Sequence, residues 1–99
     1  MGTVHLEFLS WLAHTIDRPD SQNAFQEDLG DCRTVKDLLV RLARTHPRFE
    51  NSVFDVRNLS LNAGVAIFHN GRQIEMENGL ETTLRDGDGL VFVPVVAGG

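Results

Sequence analysis

Cysteine and lysine each occur only once in these 99 residues. The lone Cys32 excludes an internal disulfide and a cysteine-based metal cluster, and it fits a reducing cytosol. No apolar run approaches the roughly 20 residues that cross a bilayer. No charged, apolar and cleavable leader opens the chain, so neither a secretory signal nor a membrane partner is expected. Met1-Gly2 begins like a myristoylation signal, but Leu6 stands where that signal needs Ser or Thr. A cytoplasmic location follows as the expectation. The phosphate-binding glycine loop is missing too, because Gly87 and Gly89 sit in a turn between strands rather than between a strand and a helix. His5, His14, His46 and His69 fall in different elements without metal-ligand spacing, so no metal site is expected. A net charge of −5 lacks the clustered Lys and Arg of a nucleic-acid surface. A basic protein partner is left open.

Hydrophobic residues make up 41% and charged residues 23%, the composition of an ordinary globular domain. At this length there is room for one small domain, which buries only about 60–65% of the unfolded chain's surface. No internal repeat, low-complexity tract or linker divides it. Val4 to Leu9 alternates apolar and polar, the period of a half-buried strand with Val4, Leu6 and Phe8 inward. Trp11 to Ile16 continues apolar without a clear period. Asp17 to Asn23, with Pro19, reads as a loop, and Ala24 to Leu29 as a second strand ended by Gly30-Asp31.

The strongest element is a helix. Thr34 is an N-cap, Asp37 stands near the positive end of the helix dipole, and Val35, Leu38, Leu39, Leu42 and Ala43 form one apolar stripe. Arg41, Arg44 and His46 suit its C-terminal end, and Pro47 stops it. Phe49 to Asn62 reads as irregular, pinned to the core by Phe49, Val53 or Phe54. Leu61 to His69 is a third strand, and Asn70-Gly71 is a type I′ turn signal into a fourth, Arg72 to Met76. Asn78-Gly79 and Asp86-Gly87-Asp88-Gly89 mark turns, and Leu90 to Val95 is the last strand. The order β-β-α-β-β-β predicts an α+β fold of the β-grasp (ubiquitin-like) pattern, a mixed sheet of about five strands with one main helix on one face.

Few residues carry obvious chemistry. His69 alternates with Val65 and Ile67 toward the core and reads as a satisfied core histidine. Cys32 has no pattern that marks a nucleophile, although Arg33 and the helix start would lower its pKa. The informative feature is the end of the sequence, where a core strand, Leu90 to Val95, runs into Val96-Ala97-Gly98-Gly99. Residues 1–95 are expected to form the domain and 96–99 a flexible diglycine tail. From Val95 to Gly99 such a tail spans about 15 Å. Without Cβ atoms on its last two residues it passes a narrow channel, presenting the carboxylate of Gly99.

Thr34-Val35-Lys36-Asp37-Leu38-Leu39, Asn70-Gly71-Arg72, Leu84-Arg85-Asp86-Gly87-Asp88, and Val91-Phe92-Val93-Pro94 leading to Ala97-Gly98-Gly99 resemble the MoaD/ThiS family of ubiquitin-like sulfur carriers. Its MoaD members are the small subunit of molybdopterin synthase. His69 stands at a place usually apolar in that family, and the 13–33 and 50–62 stretches are longer than in its smallest members. The resemblance implies a cosubstrate, not an enzyme. An E1-like adenylyltransferase (MoeB/ThiF type), using ATP and Mg²⁺, would activate Gly99, and a persulfide protein would donate sulfur to give a C-terminal thiocarboxylate. A synthase large subunit (MoaE type) or another acceptor enzyme would receive it. The chain itself would bind no cofactor. Gly98 and Gly99 are the implied reacting end. The expected partner surface comprises Leu9, Phe68, Val91, Val93, Pro94 and Ala97, on and beside the sheet face that a single helix leaves uncovered. Molybdopterin synthesis is the favoured acceptor pathway, with thiamin synthesis, cysteine synthesis and isopeptide modification of proteins as alternatives.

Overall fold

The computed structural model describes residues 2–16, 23–74 and 79–95. Strand β1 (Thr3–Phe8) buries Val4, Leu6 and Phe8 and turns His5 and Glu7 to the other side, the period-two pattern of a sheet packed on one face. It pairs antiparallel with β2 (Ala24–Asp28) and parallel with β7 (Gly89–Pro94). On its far side β7 pairs antiparallel with β5 (Val65–His69), which pairs with the short β6 (Arg72–Gln73). The five-stranded sheet therefore runs β2-β1-β7-β5-β6, with the last strand at its centre.

Helix α1 (Val35–Thr45) covers one face and buries the five stripe residues named above. Its start is a reciprocal cap: the Asp37 N–H donates to Thr34 Oγ1 at 3.2 Å, and the Thr34 N–H donates to Asp37 Oδ2 at 3.2 Å. Two otherwise orphaned amides are satisfied in this way. Under the helix, the Phe8 and Phe92 rings stack with centroids 4.4 Å apart, and Phe49 meets both edge-on. Leu38, Leu42, Leu6, Ile67 and Phe92 belong to the same core, as the spacing predicts.

The structure adds to the pattern read from the residues in some places and corrects it in others. Pro47 does stop α1, but it also begins a second helix, α2 (Pro47–Ser52), because a proline at N1 gives up only an amide that has no partner there. The segment read as irregular therefore holds α2 and a two-stranded pair, β3 (Phe54–Asp55) with β4 (Ser60–Leu61). Leu61 belongs to that pair and not to the third sheet strand, which begins at Val65. Ser10–Thr15 forms a 3₁₀ helix that buries Leu12 and Thr15, so the run from Trp11 is neither strand nor α-helix. Strand β6 ends at Gln73, and Glu75 and Met76, expected to continue it, lie outside the described residues. No helix among the described residues is long and apolar enough to cross a membrane.

Candidate functional site

The central strand divides its side chains between two environments. Leu90 and Phe92 are fully buried toward α1, whereas Val91 and Val93 point the other way and are half-buried. Register places Phe68 opposite Val91 and Ala66 opposite Val93. Phe68, Val91 and Val93 thus form one apolar strip, and Leu9 follows β1 at the end of the sheet where β7 leaves. Of the side chains described on this face only Ala66 is buried. His5 and Glu7 of β1 and Gln26 of β2 flank the strip, across a shallow groove of about 430 Å³.

The exit of β7 explains its proline. The Phe92 carbonyl accepts from the Leu9 N–H at 2.9 Å, on the β1 side, and the Val95 N–H donates to the Gly64 carbonyl at 2.8 Å, on the β5 side. By alternation the missing N–H of Pro94 falls on the β1 side, where β1 has already turned into the 3₁₀ helix. Proline therefore breaks no ladder bond here while blocking further pairing. Val95 is 46% exposed, and Trp11 on the 3₁₀ helix, which follows β1 at this same end, is 45% exposed. In the sequence Trp11 carries only a weak signal, an aromatic residue in an apolar run without strand or helix period.

Of the residues expected to meet a partner, the structure brings Leu9, Phe68, Val91, Val93 and Pro94 to the open face and its exit end. Ala97, Gly98 and Gly99 lie outside the described residues. The far end of the sheet is tied by a polar network. Asp88 accepts from His69 Nε2 at 2.9 Å, from Asn70 Nδ2 at 3.1 Å and from the Arg85 N–H at 2.9 Å. Burial raises the Asp88 pKa, but the bonds from His69, Asn70 and Arg85 outweigh it, so the carboxyl group lies below its ordinary value. His69 is thus a satisfied histidine, held at the rim of the core with 20% of its side chain exposed. Asn70 and Gly71 both take positive φ, 51° and 85°, as a type I′ turn requires.

Cys32 departs from expectation. Burial pushes its thiol pKa up, the opposing effect of Arg41 is smaller, and Asp37, Asp31 and Glu27 add to the rise. The flanking Arg33 and the helix start do not make it a reactive thiolate. Among the described residues no three His, Cys, Asp or Glu side chains are grouped to hold a metal.

Comparison with known proteins now bears on this arrangement. The family model described as the ThiS family matches residues 13–99. A protein of Archaeoglobus fulgidus named "Putative sulfur carrier protein" is 46% identical over 66 residues, covering 67% of this chain and 74% of the relative. The crystal structure of SAMP1 from Haloferax volcanii superposes with a TM-score of 0.74 at 26% identity, covering 99% of this chain and 100% of that one. The solution structure of the small archaeal modifier protein 1 from Methanosarcina acetivorans gives 0.75 at 25% identity, over 100% and 98% of the two chains.

Proposed function

Because the chain belongs to the ThiS family of small ubiquitin-like sulfur carriers, we propose that it carries sulfur as a thiocarboxylate on Gly99, in the cytoplasm, and serves as cosubstrate rather than catalyst. The observation that carries this reading is the position of β7. The strand at the centre of the core leads directly into Val96-Ala97-Gly98-Gly99, beside an apolar face that α1 does not cover.

A C-terminal carboxylate, with a pKa of about 3.5, is ionised at neutral pH and is a poor electrophile. An E1-like adenylyltransferase of the MoeB/ThiF type would supply ATP and Mg²⁺. The Gly99 carboxylate attacks the α-phosphorus, pyrophosphate leaves, and an acyl-adenylate results. Sulfide attack on the carbonyl carbon then expels AMP and leaves the thiocarboxylate. With a persulfide protein as donor, the first product is an acyl disulfide, which a second thiol cleaves to the same thiocarboxylate. The chain's own residues supply no acid or base in this scheme. The strip of Phe68, Val91 and Val93, with Leu9 and Pro94 at its exit end, docks the partner, and Ala97 and Gly98 give the narrow approach that puts the carboxylate at the phosphate.

The acceptor favoured is molybdopterin synthesis, through a MoaE-type large subunit, on the strength of the Pro94-containing end. Thiamin and cysteine synthesis are the other sulfur acceptors. A second reading, isopeptide modification of target lysines, is supported by the likeness to two small archaeal modifier proteins at 25–26% identity. Intact mass of the chain purified from its native host separates the carrier reading from the modifier reading. Exchange of one oxygen for sulfur is expected. A branched lysine adduct would favour the modifier reading, and an unmodified chain under every sulfur condition would overturn both.

A further inference from the structure

An activated carboxyl group faces a hazard close to home, since any neutral amine on its own chain competes with sulfur for it. This chain carries eight arginines and a single lysine, Lys36. Guanidinium groups stay protonated and do not attack carbonyl carbons. Lys36 is therefore the only side-chain amine able to do so.

Its placement is specific. The start of α1 is stitched to the segment before β7: the Val35 N–H donates to the Thr82 carbonyl at 3.0 Å, and the Leu84 N–H to the Arg33 carbonyl at 2.8 Å. That contact fixes Lys36 next to Glu81, with Nζ 2.8 Å from Oε1. The connection from Leu84 enters β7 at Gly89, the end of the strand remote from Val95. Six residues of β7 span about 20 Å, whereas residues 95–99 reach about 15 Å when fully extended. A lysine in the first turn of a helix also sits where the dipole disfavours a cation. Glu81 offsets this. Its hydrogen bond and charge, with Asp37 adding in the same sense, raise the Lys36 pKa and further favour the protonated amine.

We propose that Lys36 is placed at the opposite end of the sheet from Val95, the residue from which the chain continues to Gly99, and paired with Glu81, so that the activated Gly99 carboxyl group is not consumed by self-acylation. The inference rests on the carrier reading above. The step suppressed is attack of neutral Nζ on the Gly99 carbonyl carbon, in which an amide forms, the thiol or AMP leaves, and the amine proton passes to solvent.

The test uses the full chain released from an intein fusion as a Gly99 thioester, which needs no adenylyltransferase. Failure of the carrier reading therefore leaves its outcome unaffected. At about 10 µM protein and mildly alkaline pH, the wild type is expected to hydrolyse with only traces of a two-copy adduct. Ala63→Lys puts an amine beside the exit, since Ala63 is exposed and precedes the Gly64 carbonyl that holds Val95. It should close on itself about 100-fold faster than two copies join, given an effective concentration near 1 mM. Its product has the mass of the hydrolysed variant less one water. Glu81→Gln should raise the two-copy adduct at Lys36 a few-fold, and adding Lys36→Arg should abolish it. Circular dichroism checks that each variant folds. Wild-type closure through Lys36 at the rate seen for Ala63→Lys, or an adduct rate unchanged in Glu81→Gln, would overturn the proposal.

Discussion

On β7, residues one position apart live in different solvents. Leu90 and Phe92 are sealed beneath α1, and Val91 and Val93 lie half-buried on the opposite face. The two faces are similarly apolar along this strand, but among the described residues only one is matched by apolar surface from other elements. Burial of the inner face is completed by folding. The outer face has equivalent side chains whose burial is still to be gained, which is the condition for a surface that works by association. The comparison teaches that a strand's hydrophobicity does not assign it to the core. What the neighbouring elements cover does.

The comparison breaks most directly at Phe92. Truncation to alanine removes the ring that stacks on Phe8 and meets Phe49. It should cost about 3–5 kcal/mol, measured by urea unfolding, from the 5–15 kcal/mol typical of a whole domain. Leu42→Ala, on the helix side of the same core, should cost about 2–5 kcal/mol. An unchanged midpoint in either would mean that α1 does not seal this face. On the other face, Val93→Asp and Phe68→Asp should leave the unfolding curve near that of the wild type. They should weaken binding to the adenylyltransferase about 30-fold or more, the 2 kcal/mol of an interface hot spot, because a carboxylate would be buried without a partner. Titration calorimetry decides the matter, and unchanged affinity in both variants would remove the open face as the docking site.

Much of this arrangement is legible in the residues themselves. The five-residue stripe on α1, the alternation of β1 and β7 and the Asn70-Gly71 turn are local patterns in which propensity and burial agree. The open-face residues follow from the same alternation, once one helix is counted against a sheet of several strands. Residues 47–61 resisted because their structure is decided elsewhere. Helix α2 is only six residues long, too short to hold by propensity alone, and its Phe49 is fixed by the rings of Phe8 and Phe92. Strands β3 and β4 are two residues each, below any readable period. Trp11 is hard to read for a related reason: a 3₁₀ turn has no amphipathic stripe to set an exposed aromatic apart. The Cys32 thiol depended on burial beside the helix, which sequence neighbours do not reveal.

The next test sharpens the comparison without touching either face. Thr34→Ala removes the hydroxyl that accepts the Asp37 N–H and should cost about 1 kcal/mol, lowering the melting temperature by roughly 4–8 °C in a domain of this size. Since α1 covers only the inner face, partner affinity measured well below the melting temperature should be unchanged. A parallel loss of affinity would show that the outer face depends on the helix after all.

The smallest effect comes from the other half of the same cap. The Asp37 carboxylate accepts from the Arg33 N–H at 3.0 Å and the Thr34 N–H at 3.2 Å. The first of these bonds is the main reason its pKa lies below the ordinary 3.8. A carboxyl group whose pKa is depressed on folding stabilises the native state above its unfolded value, and that contribution is lost as pH falls through the folded value. Asp37→Asn keeps an acceptor but loses the charge near the helix N-terminus, so at pH 7 it should be less stable by a few tenths of a kcal/mol. The stabilities of the two proteins should run parallel from pH 7 to about 5, begin to converge near the unfolded value of about 4, and meet only below the lower folded value, where native Asp37 is protonated. The Asp88 network titrates in both proteins and cancels in the difference. A gap that persists unchanged through this range would place the cap's stability in the hydrogen-bond geometry rather than in the charge.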